Sequence, residues 1–278
     1  MFRTTIRARA VLEGIGLHKG RPSRVVFLPA AGPTGLRFTA PGGVPVPARL
    51  QSVAGTARGT NIDLGGTILY TVEHLLSAAA GLGIDDLDME ISGEEPPAAD
   101  GSALPFAEAL LKAGITGKPG QERPAAAVIP AFEFVKGETR YRVEPRPGPL
   151  SVKLVYDYPH KLVGRQEIDL ELSPEVYLRE VAPARTFGFS HELEALKAAG
   201  LALGGSLDNA IVINETEILA KDGLRFPDEF VRHKLLDLVG DLALAGLPLR
   251  GLRVEAERSG HAGNVNFAKL LSEKAQKQ

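Results

Sequence analysis

The stretch FVRHKLLDLVGDLALAG, residues 230–246, decides how the rest of the chain is read. Its apolar residues recur at helical spacing, so it reads as one amphipathic helix. His233, Asp237 and Asp241 fall at i, i+4 and i+8 and share one stripe of that helix, with Lys234 beside them. An i, i+4 His–Asp pair can share one ion. Such a pair is more often a surface hydrogen bond, and the stripe alone leaves both readings open.

The composition narrows what surrounds this helix. At 278 residues the chain exceeds the usual single core and is expected to form two domains. The hydrophobic fraction of 44% is that of an ordinary globular protein, and the net charge of -2 gives no global pull toward nucleic acid or an acidic membrane. There are no cysteines, which excludes disulfides and thiolate ligands. A transition metal would have to use His, Asp, Glu or water. The N-terminal MFRTTIRARAVLEGIGLH has basic residues but no apolar core of a signal peptide. No apolar run approaches the roughly 20 residues that span a bilayer. The expectation is a cytoplasmic monomer with no nucleic-acid partner and no stable membrane insertion.

Outward from the helix, the chain divides into two similar runs. SRVVFLPA and TGLRFTA read as strands bounded by Gly and Pro. TVEHLLSAAAGLG reads as a helix with Thr71 as N-cap and Gly81 as its stop, IDDLDMEISG as a strand, and SALPFAEALLKAG as a helix with Ser102 as a cap. The polar segment from Thr116 to Ala126 reads as a linker. After it, AVIPAFEFV, TRYRVEP and LSVKLVYDY predict three strands in an antiparallel meander. LSPEVYLREV offers a Ser cap with Pro at the first helical position. Then come the short helix SHELEALKAAG, the strand NAIVIN, the long helix from about Pro227, the strand GLRVEAE and a C-terminal helix. Strands precede helices in each half, which is α+β layering rather than the alternation of a doubly wound fold.

Two of the six histidines lie in these helices beside acidic residues: His74 follows Glu73, and His233 precedes Asp237. Two neutral imidazoles and a carboxylate, with a fourth position left to water, suit a catalytic zinc. Plainer readings stand beside this one. Glu73 in a first helical turn is ordinary dipole compensation. His261, in the turn of ERSGHAGN, can be merely solvated. ARTFGF from Ala184 is by itself an unremarkable strand, and no spacing rule joins His74 to His233. Composition and spacing stop at a metallohydrolase.

Seven segments, met in order, carry a further reading: GIGLHKG, TVEHLLSAAAGLGID, DGSALPF, ARTFGF, GLALGGSLDNAIV, DGLRFPDEFVRHKLLDLVGDL and ERSGH. Together they resemble the zinc-dependent UDP-3-O-acyl-N-acetylglucosamine deacetylases of lipid A biosynthesis. The resemblance implies an α+β fold of two similar domains, each an antiparallel-rich sheet layered with helices, with the active site between them. The expected division is 1–120 and 121–278, with an inserted acyl-chain-binding segment near 187–213. It implies Zn2+ held by His74, His233 and Asp237, and Glu73 as general base. Lys234 would assist substrate binding and charge stabilisation, and Asp241 would orient His261. Thr186 would lie near the scissile carbonyl, with Phe187 in the substrate-contact region. The implied reaction removes acetate from the 2-amino group of an acylated UDP-sugar, with His261 as candidate acid.

Three departures from the family pattern stand out. Glu192 occupies a place usually held by aspartate, so its substrate contact reaches farther. Ala99 stands before DGSA where methionine is common. Gly263 replaces a common leucine, which predicts a looser loop at His261. The segment AGLALGGSLDNAIVI, residues 199–213, reads either as core packing or as a hydrophobic passage for the acyl chain. A catalytically silent UDP-sugar-binding relative is the alternative to the enzyme.

Overall fold

The computed structural model describes residues 1–275. The N-terminal half begins with β1 (Phe2–Ile6), β2 (Ala10–Ile15), β3 (Pro22–Pro29), β4 (Leu36–Thr39) and β5 (Val46–Pro47). A small insert follows, made of β6 (Val53–Gly55), β7 (Asn61–Asp63) and β8 (Ile68–Leu69). Then come α1 (Glu73–Gly81), β9 (Leu87–Ser92), α2 (Leu104–Ala113) and β10 (Ile115–Glu122). The C-terminal half begins with β11 (Phe132–Lys136), β12 (Thr139–Pro145), β13 (Leu150–Tyr158) and β14 (Gly164–Leu172). Its larger insert holds α3 (Pro174–Glu180), β15 (Phe187–Phe189), α4 (Leu193–Ala198), β16 (Ile211–Ile213) and β17 (Ile218–Leu219). The chain closes with α5 (Glu229–Ala243), β18 (Leu252–Glu257) and α6 (His261–Lys274).

The two main sheets have the same plan. One runs β2-β3-β9-β4-β5, the other β11-β12-β18-β13-β14. In each, the strand that follows the central helix enters the middle, pairs antiparallel on one side, and pairs parallel on the other as β4·β9 or β13·β18. The α+β reading therefore holds, but the predicted meander does not. β18 separates β12 from β13, because a late strand with inward Leu252, Val254 and Ala256 has its apolar face buried only at the sheet centre.

The predicted linker is also corrected in part. Residues 116–122 lie in β10, antiparallel to β1, with Ile115 opposite Ile6 and Glu122 opposite Phe2. A strand at a sheet edge is held by its backbone and tolerates polar side chains. Pro119 and Gly120, at φ +80°, lie where the register shifts, as expected of a bulge.

Local capping follows the sequence unevenly. Ser173 caps α3, its hydroxyl accepting from the Val176 amide at 3.2 Å. Ser102 Oγ accepts from the Leu104 amide at 3.2 Å beside the start of α2. Thr71 is no cap: α1 starts at Glu73 after Val72, and Thr71 stands in the left-handed region at φ +55°. Gly81 remains inside α1.

Helix α5 departs from the amphipathic expectation. It is buried on nearly every side, and its polar stripe faces protein: His233, Asp237 and Asp241 are 2%, 1% and 0% exposed. Helix α1 packs across it. Gly240 permits that contact, since a Cβ there would sit 2.0 Å from the Glu73 carbonyl oxygen. The crossing brings the α1 N-terminus against the middle of α5.

Candidate metal centre and active-site cavity

At this crossing His74 from α1 meets His233 and Asp237 from α5. The imidazole rings lie edge to face, with centroids 4.9 Å apart. Nε2 of His74 is 3.7 Å and Nε2 of His233 is 3.4 Å from Oδ1 of Asp237. The Nδ1–H of His233 faces the Ala184 carbonyl at 3.1 Å. A carbonyl only accepts, so this contact fixes the tautomer and leaves the Nε2 lone pair directed at the cluster. Asp237 Oδ2 accepts from Lys234 Nζ at 2.8 Å. Asp237 Oδ1 is buried and has no hydrogen-bond donor. A carboxylate oxygen left unpaired beside two imidazole nitrogens is costly unless a cation occupies the space. The donor set, two nitrogens and one oxygen within 4.8 Å of one another, fits a divalent transition metal such as zinc.

The protonation states agree with ligation. Burial, then the neighbouring His233, depresses His74 to about 3, and burial also lowers His233, so both imidazoles are neutral. Burial favours the acid form of Asp237, yet the charged Lys234 and His261 hold it well below the usual carboxylate range. Lys234 stays charged despite its burial because Asp237 faces it.

A second cluster adjoins the first. His261 Nε2 lies 3.8 Å from Glu73 Oε1 and 3.9 Å from Asp237 Oδ2. Its Nδ1–H donates to Asp241 Oδ2 at 3.1 Å. Burial opposes a charge on His261, but Glu73, Asp241 and Asp237 around it push its pKa up to about 10. Burial pushes Glu73 upward to about 7. The histidine is not on a loop as expected; it is the first residue of α6. Nor is Gly263 a loose point. It lies within α6, and a Cβ there would approach the Tyr141 hydroxyl to 2.6 Å, so the tyrosine fills the space a side chain would need.

Three residues that the sequence did not single out complete this cluster. Thr60 donates its hydroxyl to Asp241 Oδ1 at 2.5 Å and its backbone N–H to Glu73 Oε2 at 2.9 Å. Asn264 donates to Asp241 Oδ2 at 2.8 Å and accepts from the Tyr141 hydroxyl at 2.6 Å. Asn264 carried a local signal, three residues beyond His261 on one helix face. Thr60 and Tyr141 carried none.

The clusters form one wall of a cavity of about 460 Å³. Thr186, Phe187, Lys234 and Glu192 also line it, so the structure brings every residue singled out in the sequence to this region. Lys234 Nζ stands 5.3 Å over the Phe187 ring. Phe187 also packs edge-on against Phe230 and His233. Glu192 forms a two-point pair with Arg58 at 3.0 and 3.3 Å at the cavity wall. His18, another residue not singled out, lines the cavity with one ring nitrogen on the Arg58 carbonyl and the other accepting from the Ala202 amide. The segment 199–213 supplies Ala202, Gly205, Leu207, Ile211 and Val212 to the cavity lining.

Fold and site thus define a class: an α+β protein of two like sheets, with a buried cation-binding donor set facing a largely apolar cavity. Its family follows from comparison with known proteins. Residues 3–273 match the family model LpxC: UDP-3-O-acyl N-acetylglycosamine deacetylase, and the chain belongs to that family. It is similar to the UDP-3-O-acyl-N-acetylglucosamine deacetylase of Nitratidesulfovibrio vulgaris, 44% identical over 99% of this chain and 89% of the relative. The protein of the same name from Anaeromyxobacter dehalogenans is 43% identical over 96% and 86%. That of Bdellovibrio bacteriovorus is 41% identical over 94% and 86%.

Proposed function

We propose that this chain is a zinc-dependent hydrolase that removes the N-acetyl group from UDP-3-O-acyl-N-acetylglucosamine in lipid A biosynthesis, acting in the cytoplasm. Family membership supports the reaction. The observation that carries the metal chemistry is the buried, unpaired Asp237 Oδ1 facing two imidazole nitrogens at a cavity wall. His74, His233 and Asp237 are the proposed ligands.

Zinc bound there supplies Lewis acidity, which polarises a carbonyl and makes a nearby water easier to deprotonate. Glu73, which lines the cavity with Oε1 3.8 Å from His261 Nε2 and Oε2 held by the Thr60 amide, takes a proton from the attacking water. The water oxygen bonds to the carbonyl carbon, and the carbonyl π pair moves onto oxygen. Thr186 and Lys234 stand at the cavity wall as stabilisers of that charge. The oxyanion pair then returns to re-form the carbonyl as the C–N bond breaks, the C–N pair leaves with nitrogen, and His261 donates the proton that the amine needs. Asp241, fixed by three donors, keeps His261 oriented and charged. Acetate and the free amine are the products.

Phe187 and Glu192 are proposed substrate contacts, and the apolar segment within 187–213 a passage for the acyl chain. The two like sheets support a two-part frame, with the division placed after β10 rather than at 120/121, which falls inside that strand. The reading is tested by measuring acetate released from the acylated UDP-sugar with and without a chelator. Chelator-sensitive release is expected. Zinc-loaded protein that binds the UDP-sugar and releases no acetate would instead be the silent relative.

A further inference from the structure

The DGSALPF segment, residues 100–106, has no part in the chemistry above, yet it borders a second space. Beside the main cavity lies a recess of about 20 Å³. Leu17, Thr71, His74 and Thr186 line both spaces, so the two adjoin at the reacting centre. The remaining wall is mostly apolar: Pro96, Pro97, Ala98, Gly101 and Phe106. Glu95 also borders it, but its carboxylate is engaged by the amides of His18 at 3.1 Å and Lys19 at 2.7 Å. Space of this size takes one water-sized group.

The walls are fixed. Pro96 and Pro97 restrict their own backbone. The Ala98 amide donates to the Ile15 carbonyl at 2.8 Å, and the Thr186 amide donates to the Gly101 carbonyl at 2.8 Å. Gly101, at φ +84°, abuts Asn209 so closely that a Cβ would stand 2.0 Å from its carbonyl oxygen. Phe106 is 2% exposed. A close-packed wall of this kind does not open for an extra methylene without cost.

We propose that this recess receives the methyl group of the departing acetyl and makes the site selective for acetamides over longer amides. The inference rests on the deacetylase reading above. A carbonyl carbon held between Thr186 and His74 carries an oxygen, the sugar nitrogen and the acyl substituent. The sugar nitrogen belongs to the main cavity, where the rest of the substrate lies. The acyl substituent meets the recess that the same two residues border. A methyl fills it; a propionyl group overlaps Pro97, Ala98 or Phe106; a formyl group leaves it empty.

The test compares kcat/KM of the zinc-loaded enzyme on N-formyl, N-acetyl and N-propionyl forms of the same acylated UDP-sugar. Acetyl is expected to exceed propionyl by roughly 10–200-fold, the discrimination typical of one methylene in an apolar pocket. Leu17→Ala should narrow that ratio. Ala98→Val should lower the acetyl value more than the formyl value. Ratios measured on one preparation are insensitive to a partly unfolded fraction. Equal acetyl and propionyl values in the unmodified enzyme overturn the recess while leaving the deacetylase intact. Ratios unchanged in both variants do the same, and point to a retained water in the recess. No release from any amide removes the deacetylase reading and the recess with it.

Discussion

The two halves share one strand order but differ in what lies between the outer strands and the central helix. In the first half that insert is β6–β8, ending at Leu69; in the second it runs from α3 through β17. The shared frame delivers the proposed reacting groups: Glu73 and His74 from α1, His233, Asp237 and Asp241 from α5, and His261 from α6. The two central helices even present the same Val-x-His, at residues 72–74 and 231–233. The inserts and their flanking loops deliver much of the cavity wall, including Arg58, Thr186, Phe187 and Glu192. A repeated frame thus places two histidines edge to face, and unequal inserts wall in a cavity at that junction.

Substitutions in the frame should therefore cost most. The double variant His233→Ala, Asp237→Ala is expected to lose its zinc, from about one ion per chain to background by elemental analysis, together with its activity. Zinc retained by that variant would remove the ligand assignment. Glu73→Ala should keep its metal yet lose roughly 10²–10⁴-fold in kcat/KM, the usual worth of a positioned base. Loss of metal along with rate would make Glu73 a structural or ligating residue instead.

The pH profile sharpens the division within the frame. Glu73 must be unprotonated as base and His261 protonated as acid, so kcat/KM should be bell-shaped. Burial raises Glu73, which moves the acidic limb above the ordinary carboxylate range. The carboxylates around His261 offset its burial and raise it, so the basic limb lies above the ordinary histidine value and activity falls as pH climbs through it. His261→Ala should flatten that basic limb; a limb that survives belongs to another acid.

One insert residue is expected to support a frame residue directly. Thr60 stands just before β7, and its hydroxyl bonds Asp241. Thr60→Val removes a hydrogen bond to a buried carboxylate, which should cost about 1–3 kcal/mol in denaturant unfolding, and Thr60→Ser should restore most of it. A Val variant as stable as the parent would show that the Thr60–Asp241 hydrogen bond does not stabilise the fold. The smallest effect is expected at the Arg58–Glu192 pair, whose side chains are 49% and 28% exposed. A double-mutant cycle to alanine should give a coupling of about 1 kcal/mol or less. A larger value would make the pair a structural tie between the two inserts.

The sequence by itself determined the helical stripe of His233, Asp237 and Asp241, the type of most elements, the Ser173 cap and the family. Each of these is encoded within a few residues: a helix face repeats every turn, a cap is one side chain, and a motif is contiguous. What its local patterns left open, and only the resemblance implied for the ligands, was pairing at a distance. The meeting of His74 with His233 depends on the α1–α5 crossing, which Gly240 permits from far along the chain. The burial of the polar stripe, the entry of β18 between β12 and β13, and the pairing of polar β10 with β1 follow from what packs against each element rather than from its own pattern. Thr60 and Tyr141 stayed invisible for the same reason. A hydroxyl becomes part of a site only when the fold sets a carboxylate, or an amide bound to one, within hydrogen-bond reach, and no local spacing records that distance.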